Sequence, residues 1–136
     1  MQSSPSFVAA SLLVAGGGLA GSWLRFATGR LASLALGPIA ASAFPWATLT
    51  VNLAGSLAMG LLAGWLARHA SGGEAWRLLL GVGVLGGFTT FSAFALEFVL
   101  LVQRGQSGLA LAYAALSLLA GFGALAAGLM TMRAVA

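Results

Sequence analysis

Four apolar stretches decide most of what this chain can fold into. They run from about Phe7 to Leu36, Trp46 to Leu66, Trp76 to Val102 and Leu109 to Met132. An α-helix rises 1.5 Å per residue and the hydrocarbon core of a bilayer is about 30 Å thick, so about 20 apolar residues make one crossing. Turn-forming and polar residues separate the stretches: Gly37-Pro38 and Phe44-Pro45, then Arg68 to Glu74, then Gln103 to Gly108. Pro45 suits the first position of a helix, where its missing N–H costs nothing. The expectation is an all-α membrane protein, four transmembrane helices in one domain over residues 1–136.

Charge supports lipid as the solvent. Hydrophobic residues make up 60% and charged residues 6%, whereas soluble domains carry about 25% charged residues. The acids are Glu74 and Glu97, and the six cations are all Arg and scattered. A nucleic-acid partner would need those cations clustered on one face, so none is expected. The chain has no Cys, which removes a disulfide framework and thiolate metal sites. Before Phe7 there is no positive n-region of the kind a secretory signal carries, so the first stretch is read as a retained helix.

Orientation is nearly undetermined. With four spans, Arg68, Arg77 and Arg133 fall on one side of the membrane and Arg30 and Arg104 on the other, with Arg25 near the second group. The positive-inside rule then gives almost no preference. Such a chain can insert both ways and pair as an antiparallel dimer. The plainer alternative is that a difference of one Arg, or a lipid, decides.

Residues four apart share a helix face. Thr48, Asn52, Ser56, Gly60 and Gly64 form one such stripe, Tyr113, Ser117 and Gly121 a second, and Gly17, Gly21 and Arg25 a third. Small residues in membrane helices are packing devices, which accounts for Ser56 and the glycines. Asn52 is different, because an amide in hydrocarbon needs partners for two donors and an acceptor. It serves either a polar path or a bond between helices.

The third stretch contains Gly86-Gly-Phe-Thr89-Thr90-Phe91-Ser-Ala-Phe94 at mid-span. Gly costs about 1 kcal/mol relative to Ala inside a helix, and Thr is also unfavourable. Non-helical backbone at that depth survives only when buried in protein or lining a cavity. A break between Gly86 and Thr90 is therefore expected, with freed carbonyls for a cation and a new helix N-terminus for an anion. The alternative is a continuous helix that uses its glycines for packing. Phe91 and Phe94 share a face, and the positive edge of an aromatic ring is one place an anion can rest. Two G-x-G-x-x-G matches, at Gly16 and Gly81, lack the strand, helix and acid of a dinucleotide site.

Enzyme chemistry has little material: two Glu and one His, His69, which reads as a solvated loop residue. Glu97 lies within a span, where an acid is a functional candidate. It reads as a proton carrier, an ion-path group, or a carboxylate snorkelling to the helix end. Arg25 either pairs with an acid, snorkels, or lends an aqueous vestibule its charge.

Three segments resemble the CrcB/Fluc fluoride channels: Gly17-Gly-Leu-Ala-Gly-Ser-Trp-Leu-Arg25, Thr48-Leu-Thr-Val-Asn52-Leu-Ala-Gly55 and Gly86-Gly-Phe-Thr-Thr-Phe-Ser-Ala-Phe94. The resemblance extends over essentially the whole chain, and the third segment is its most specific part. It implies an antiparallel, dual-topology homodimer with two narrow pores. It further implies a central structural sodium ion held by backbone carbonyls, at positions matching Gly86 and Thr89. Pore positions fall on Phe91, Phe94, Asn52, Tyr113, Ser117 and Thr48, with Arg25 and Glu97 as vestibule or accessory positions. The implied function is passive export of cytoplasmic fluoride through a bacterial inner membrane. Ala93 stands where the family usually has Thr, and Phe26 where it often has Tyr or Trp. The alternatives are a small proton-coupled multidrug-type exporter working through Glu97, and a non-transporting assembly subunit.

Overall fold

The computed structural model describes residues 5–68 and 73–134, so His69 lies outside the described residues. The elements are α1 (Phe7–Ala43), α2 (Trp46–Arg68), α3 (Gly73–Trp76), a π-helix (Arg77–Leu85), α4 (Gly86–Phe88), α5 (Phe91–Gln103) and α6 (Ser107–Ala134). Four spans long and apolar enough to cross a membrane result: Phe7–Ala43, Trp46–Arg68, Gly73–Gln103 and Ser107–Ala134.

Local chemistry explains the ends. Ser6 caps α1, its hydroxyl accepting from the Ala9 N–H at 3.3 Å. Gly37 takes φ 76°, ψ 163°, a conformation that needs glycine, and kinks α1 just before Pro38. The sequence suggested that this stretch ends at Leu36. Instead Ile39–Ala43 winds on past the kink, because Pro38 is well placed to begin a helical turn. Between α5 and α6 the chain makes a tight Schellman turn. Gly105 sits at φ 75°, its N–H donates to the Val102 carbonyl, and Gln106 N–H donates to the Leu101 carbonyl.

Glycines set the packing. A Cβ on Gly60 would strike the Leu125 carbonyl, and one on Gly128 would lie 2.5 Å from the Leu57 carbonyl. Further along, Gly64 meets Met132, so α2 and α6 run parallel with their backbones in near contact. Close approach of this kind supplies the dispersion contact that holds helices together when lipid removes the hydrophobic drive. The first and third spans are likewise parallel: Gly17 faces Leu79 and Gly83, and Gly21 faces Val84 and Phe88.

Burial is inverted relative to a soluble protein. The interior cluster is small, formed by Leu49, Leu101, Ala110 and Tyr113 with Phe44, Leu53, Phe94 and Phe98 against it. Large apolar side chains such as Phe7, Leu19, Ile39, Leu119 and Phe122 point outward. That pattern belongs to a multi-pass membrane protein, whose outer surface meets hydrocarbon.

Candidate functional site

Between α4 and α5 the backbone of Thr89 (φ −82°, ψ 159°) and Thr90 (φ −153°, ψ 123°) is extended. The bonds that a helix would make here are replaced one by one. Thr89 still donates its N–H to the Leu85 carbonyl at 3.0 Å, and its hydroxyl donates to the same oxygen at 2.8 Å. Thr90 N–H turns away and donates to Asn52 Oδ1 at 2.8 Å. Asn52 Nδ2 in turn donates to the Thr90 carbonyl at 3.0 Å. One side-chain amide thus satisfies both backbone groups of Thr90, as a neighbouring strand would. Thr90 then caps α5, its hydroxyl accepting from Ala93 N–H at 3.2 Å. The cap uses only the backbone of residue 93, so Ala there leaves it intact. Gly55 completes the seat, since a Cβ on it would strike Thr89 Cγ2.

The Gly86 and Thr89 carbonyls are among those these exchanges free. In a continuous helix Thr90 N–H would bond the Gly86 carbonyl and Ala93 N–H the Thr89 carbonyl. Both donors are engaged elsewhere, and among the described residues no other backbone N–H outside the regular helices replaces them. No group of three or more His, Cys, Asp or Glu positioned to hold a metal occurs among the described residues. Released backbone oxygens are hard ligands, of the kind that fits part of the shell of an alkali cation.

A cavity of about 310 Å³ opens beside the interruption. Asn52, Thr89, Thr90, Phe91, Phe94 and Ser117 line it, joined by Ser56 and Met59. Among the described residues, no charged side chain is on its wall. The Ser117 hydroxyl oxygen is buried and has no hydrogen-bond partner among the described residues. Phe91 is 77% exposed in the single chain, and its ring lies 5.7 Å from that of Phe94. The first turn of α5 starts at this wall and brings the positive end of a helix dipole there.

Beyond Phe94 lies a second polar cluster. The Phe94 ring is 5.1 Å from the Tyr113 ring, and Tyr113 is fully buried. Tyr113 donates its hydroxyl to Glu97 Oε2 at 2.8 Å, and Thr48 donates to Glu97 Oε1 at 2.7 Å. The carboxylate is therefore held inside the bundle by two charge-assisted bonds rather than snorkelling to the helix end.

The candidate residues accordingly separate. Asn52, Phe91, Phe94, Ser117 and Thr89 meet at the cavity, while Thr48, Glu97 and Tyr113 form the cluster behind it. Gly86 lies on an exposed face of the third span. Arg25 sits partly buried on α1, one turn after Gly21. Ser56 and Met59 were not among the sequence candidates, although both share a face with Asn52 at helical spacing.

Known proteins supply the remaining comparison. Residues 12–129 match the family model described as CrcB-like protein, Camphor Resistance (CrcB). The fluoride-specific ion channel FluC of Novosphingobium aromaticivorans is 61% identical over 127 residues, covering 93% of this chain and 98% of that protein. FluC of Erythrobacter litoralis is 51% identical over 125 residues, covering 91% and 92%. FluC of Caulobacter vibrioides strain NA1000 is 49% identical over 125 residues, covering 91% and 95%. With the family model matched over most of its length, this chain belongs to the CrcB/FluC family.

Proposed function

We propose that this chain is a subunit of a fluoride-selective passive channel that lets cytoplasmic fluoride leave a bacterial cell through its inner membrane, protecting the cell from fluoride toxicity. The observation that carries this reading is an uncharged cavity walled by an amide, a buried hydroxyl without a partner, and two phenylalanine rings. Fluoride is small and strongly hydrated, so a pore must replace its water with close donors. Asn52 has a second N–H beyond the one given to Thr90, Ser117 has a free hydroxyl, and the ring edges of Phe91 and Phe94 add weak positive potential. Without a charged group, the wall does not hold the ion too tightly to release it.

In the working assembly, two copies pair antiparallel as a dual-topology homodimer. The exposed ring of Phe91 then meets the second copy and closes a narrow pore. A sodium ion bound by the Gly86 and Thr89 carbonyls of both copies fixes the two interruptions together and offsets repulsion between anions. Thr48, Tyr113 and Glu97 continue the polar path past Phe94, and Arg25 lends positive charge to a vestibule. Both Glu97 oxygens are engaged in that cluster, accepting from the Thr48 and Tyr113 hydroxyls.

Purified protein in liposomes loaded with potassium fluoride gives the test. After valinomycin is added, a fluoride electrode should record rapid release, with little release from chloride-loaded controls. Absence of fluoride release from folded protein, with sodium present, would contradict the proposal.

A further inference from the structure

The third span is π-helical over nine residues, Arg77–Leu85. π-Helices are rare and mostly single turns, so a run of this length needs something to hold it. What lies against it is the backbone of α1. A Cβ on Gly17 would overlap the Leu79 carbonyl oxygen and lie 2.9 Å from Gly83 Cα. A Cβ on Gly21 would overlap the Val84 carbonyl oxygen and lie 2.8 Å from Phe88 N.

The spacing of these contacts is unequal. Gly17 and Gly21 are four residues apart, one α-turn of α1, while Leu79 and Val84 are five apart, one π-turn of the third span. Were the third span α-helical, the carbonyl one turn beyond Leu79 would belong to Gly83, not Val84. The two glycines therefore match the widened register and not the ordinary one. The π segment ends where Gly86 N–H is shared between the Gly81 and Gly83 carbonyls, four residues before Thr90. A π-turn holds more residues than an α-turn, so rewinding this segment would rotate and shift everything after it. Thr89 would leave Gly55, and Thr90 would leave Asn52.

We propose that Gly17 and Gly21 are positioning residues: by seating α1 on the Leu79 and Val84 carbonyls they hold the π register, which sets where Thr89 and Thr90 meet α2. The flux consequence rests on the channel reading above; the register claim does not.

Both parts can be measured on the full chain. Its lack of cysteine makes an introduced pair unambiguous. A Cβ on Gly55 would stand 3.7 Å from Thr89 Cβ, within the range of a disulfide. The Gly55→Cys/Thr89→Cys pair, oxidised and then probed with a polyethylene-glycol maleimide, therefore reports the register. It should cross-link readily alone and with Gly16→Ala, whose Cβ meets open space in the subunit. With Gly17→Ala or Gly21→Ala, cross-linking should fall by about fivefold or more. In liposomes, the cysteine-free Gly17→Ala and Gly21→Ala chains should lose fluoride flux by about tenfold or more, with Gly16→Ala within about twofold of the unsubstituted chain.

Unchanged cross-linking in folded Gly17→Ala and Gly21→Ala would overturn the proposal, as would an equal loss in Gly16→Ala. Failure of both variants to fold would assign the glycines to packing alone and also overturn it. If the unsubstituted chain passes no fluoride, the channel reading fails, and the cross-linking arm still decides the register claim.

Discussion

Asn52→Leu is the substitution whose cost the structure fixes most closely. Leucine keeps the branching of asparagine and removes both bonds to Thr90, at 2.8 Å and 3.0 Å. The two backbone groups left unpaired cost about 1–3 kcal/mol each, about 2–6 kcal/mol together, and that range already contains the lost bonds. The cavity beside Thr90 admits some relief from water, so the total falls at the lower end, about 2–4 kcal/mol. Local opening should then expose the Thr90 amide on the order of 10²-fold more often, at about 1.4 kcal/mol per factor of ten. Hydrogen–deuterium exchange of the solubilised protein reads this at Thr90 directly, and an equilibrium unfolding curve reads the global loss. Ser56→Ala is the matched control: it is one turn along the same face and lines the same cavity, and its expected effect is about 0.5 kcal/mol or less. Native protection of the Thr90 amide in Asn52→Leu would refute the idea that the side-chain amide stands in for the missing helix bonds.

Tyr113→Phe should lower stability by about 1.5–3 kcal/mol, the range for a hydrogen bond to a charged group. Thr48→Val should do the same through the other Glu97 oxygen, and an unfolding cycle of the two should show non-additivity, because they share one acceptor. Phe94→Ile should abolish fluoride conduction while the elution profile in size-exclusion chromatography stays that of the unsubstituted protein; an active variant would remove the ring-edge role. Gly128→Ala should cost about 1–3 kcal/mol by pushing the Leu57 carbonyl, measured as a loss of thermal stability in detergent micelles.

The four spans were legible because apolar length is a one-dimensional property that needs no tertiary partner. The interruption was legible only as a region. Its Gly-Gly and Thr-Thr pairs marked residues 86 to 90, yet both glycines are helical and the extended residues are the two threonines. What decides between them is Asn52, 38 residues away, which offers Thr90 a better partner than the helix does. Glu97 was ambiguous for the same reason: its donors lie 49 and 16 residues distant in sequence. The π-helix left no sequence signal, since Leu-Leu-Leu-Gly-Val-Gly-Val-Leu reads equally well at either turn width. Its contact partners are two glycines on another helix, and only three dimensions bring them together.

The central claim is selective passage of fluoride, and a reversal potential tests it most directly. In a planar bilayer with potassium equal on both sides, let fluoride be tenfold higher on one side and chloride make up the difference on the other. A fluoride-selective channel must reverse at the fluoride equilibrium potential, about 59 mV for a tenfold gradient of a monovalent ion. Reversal at zero, or with the opposite sign, would contradict the account.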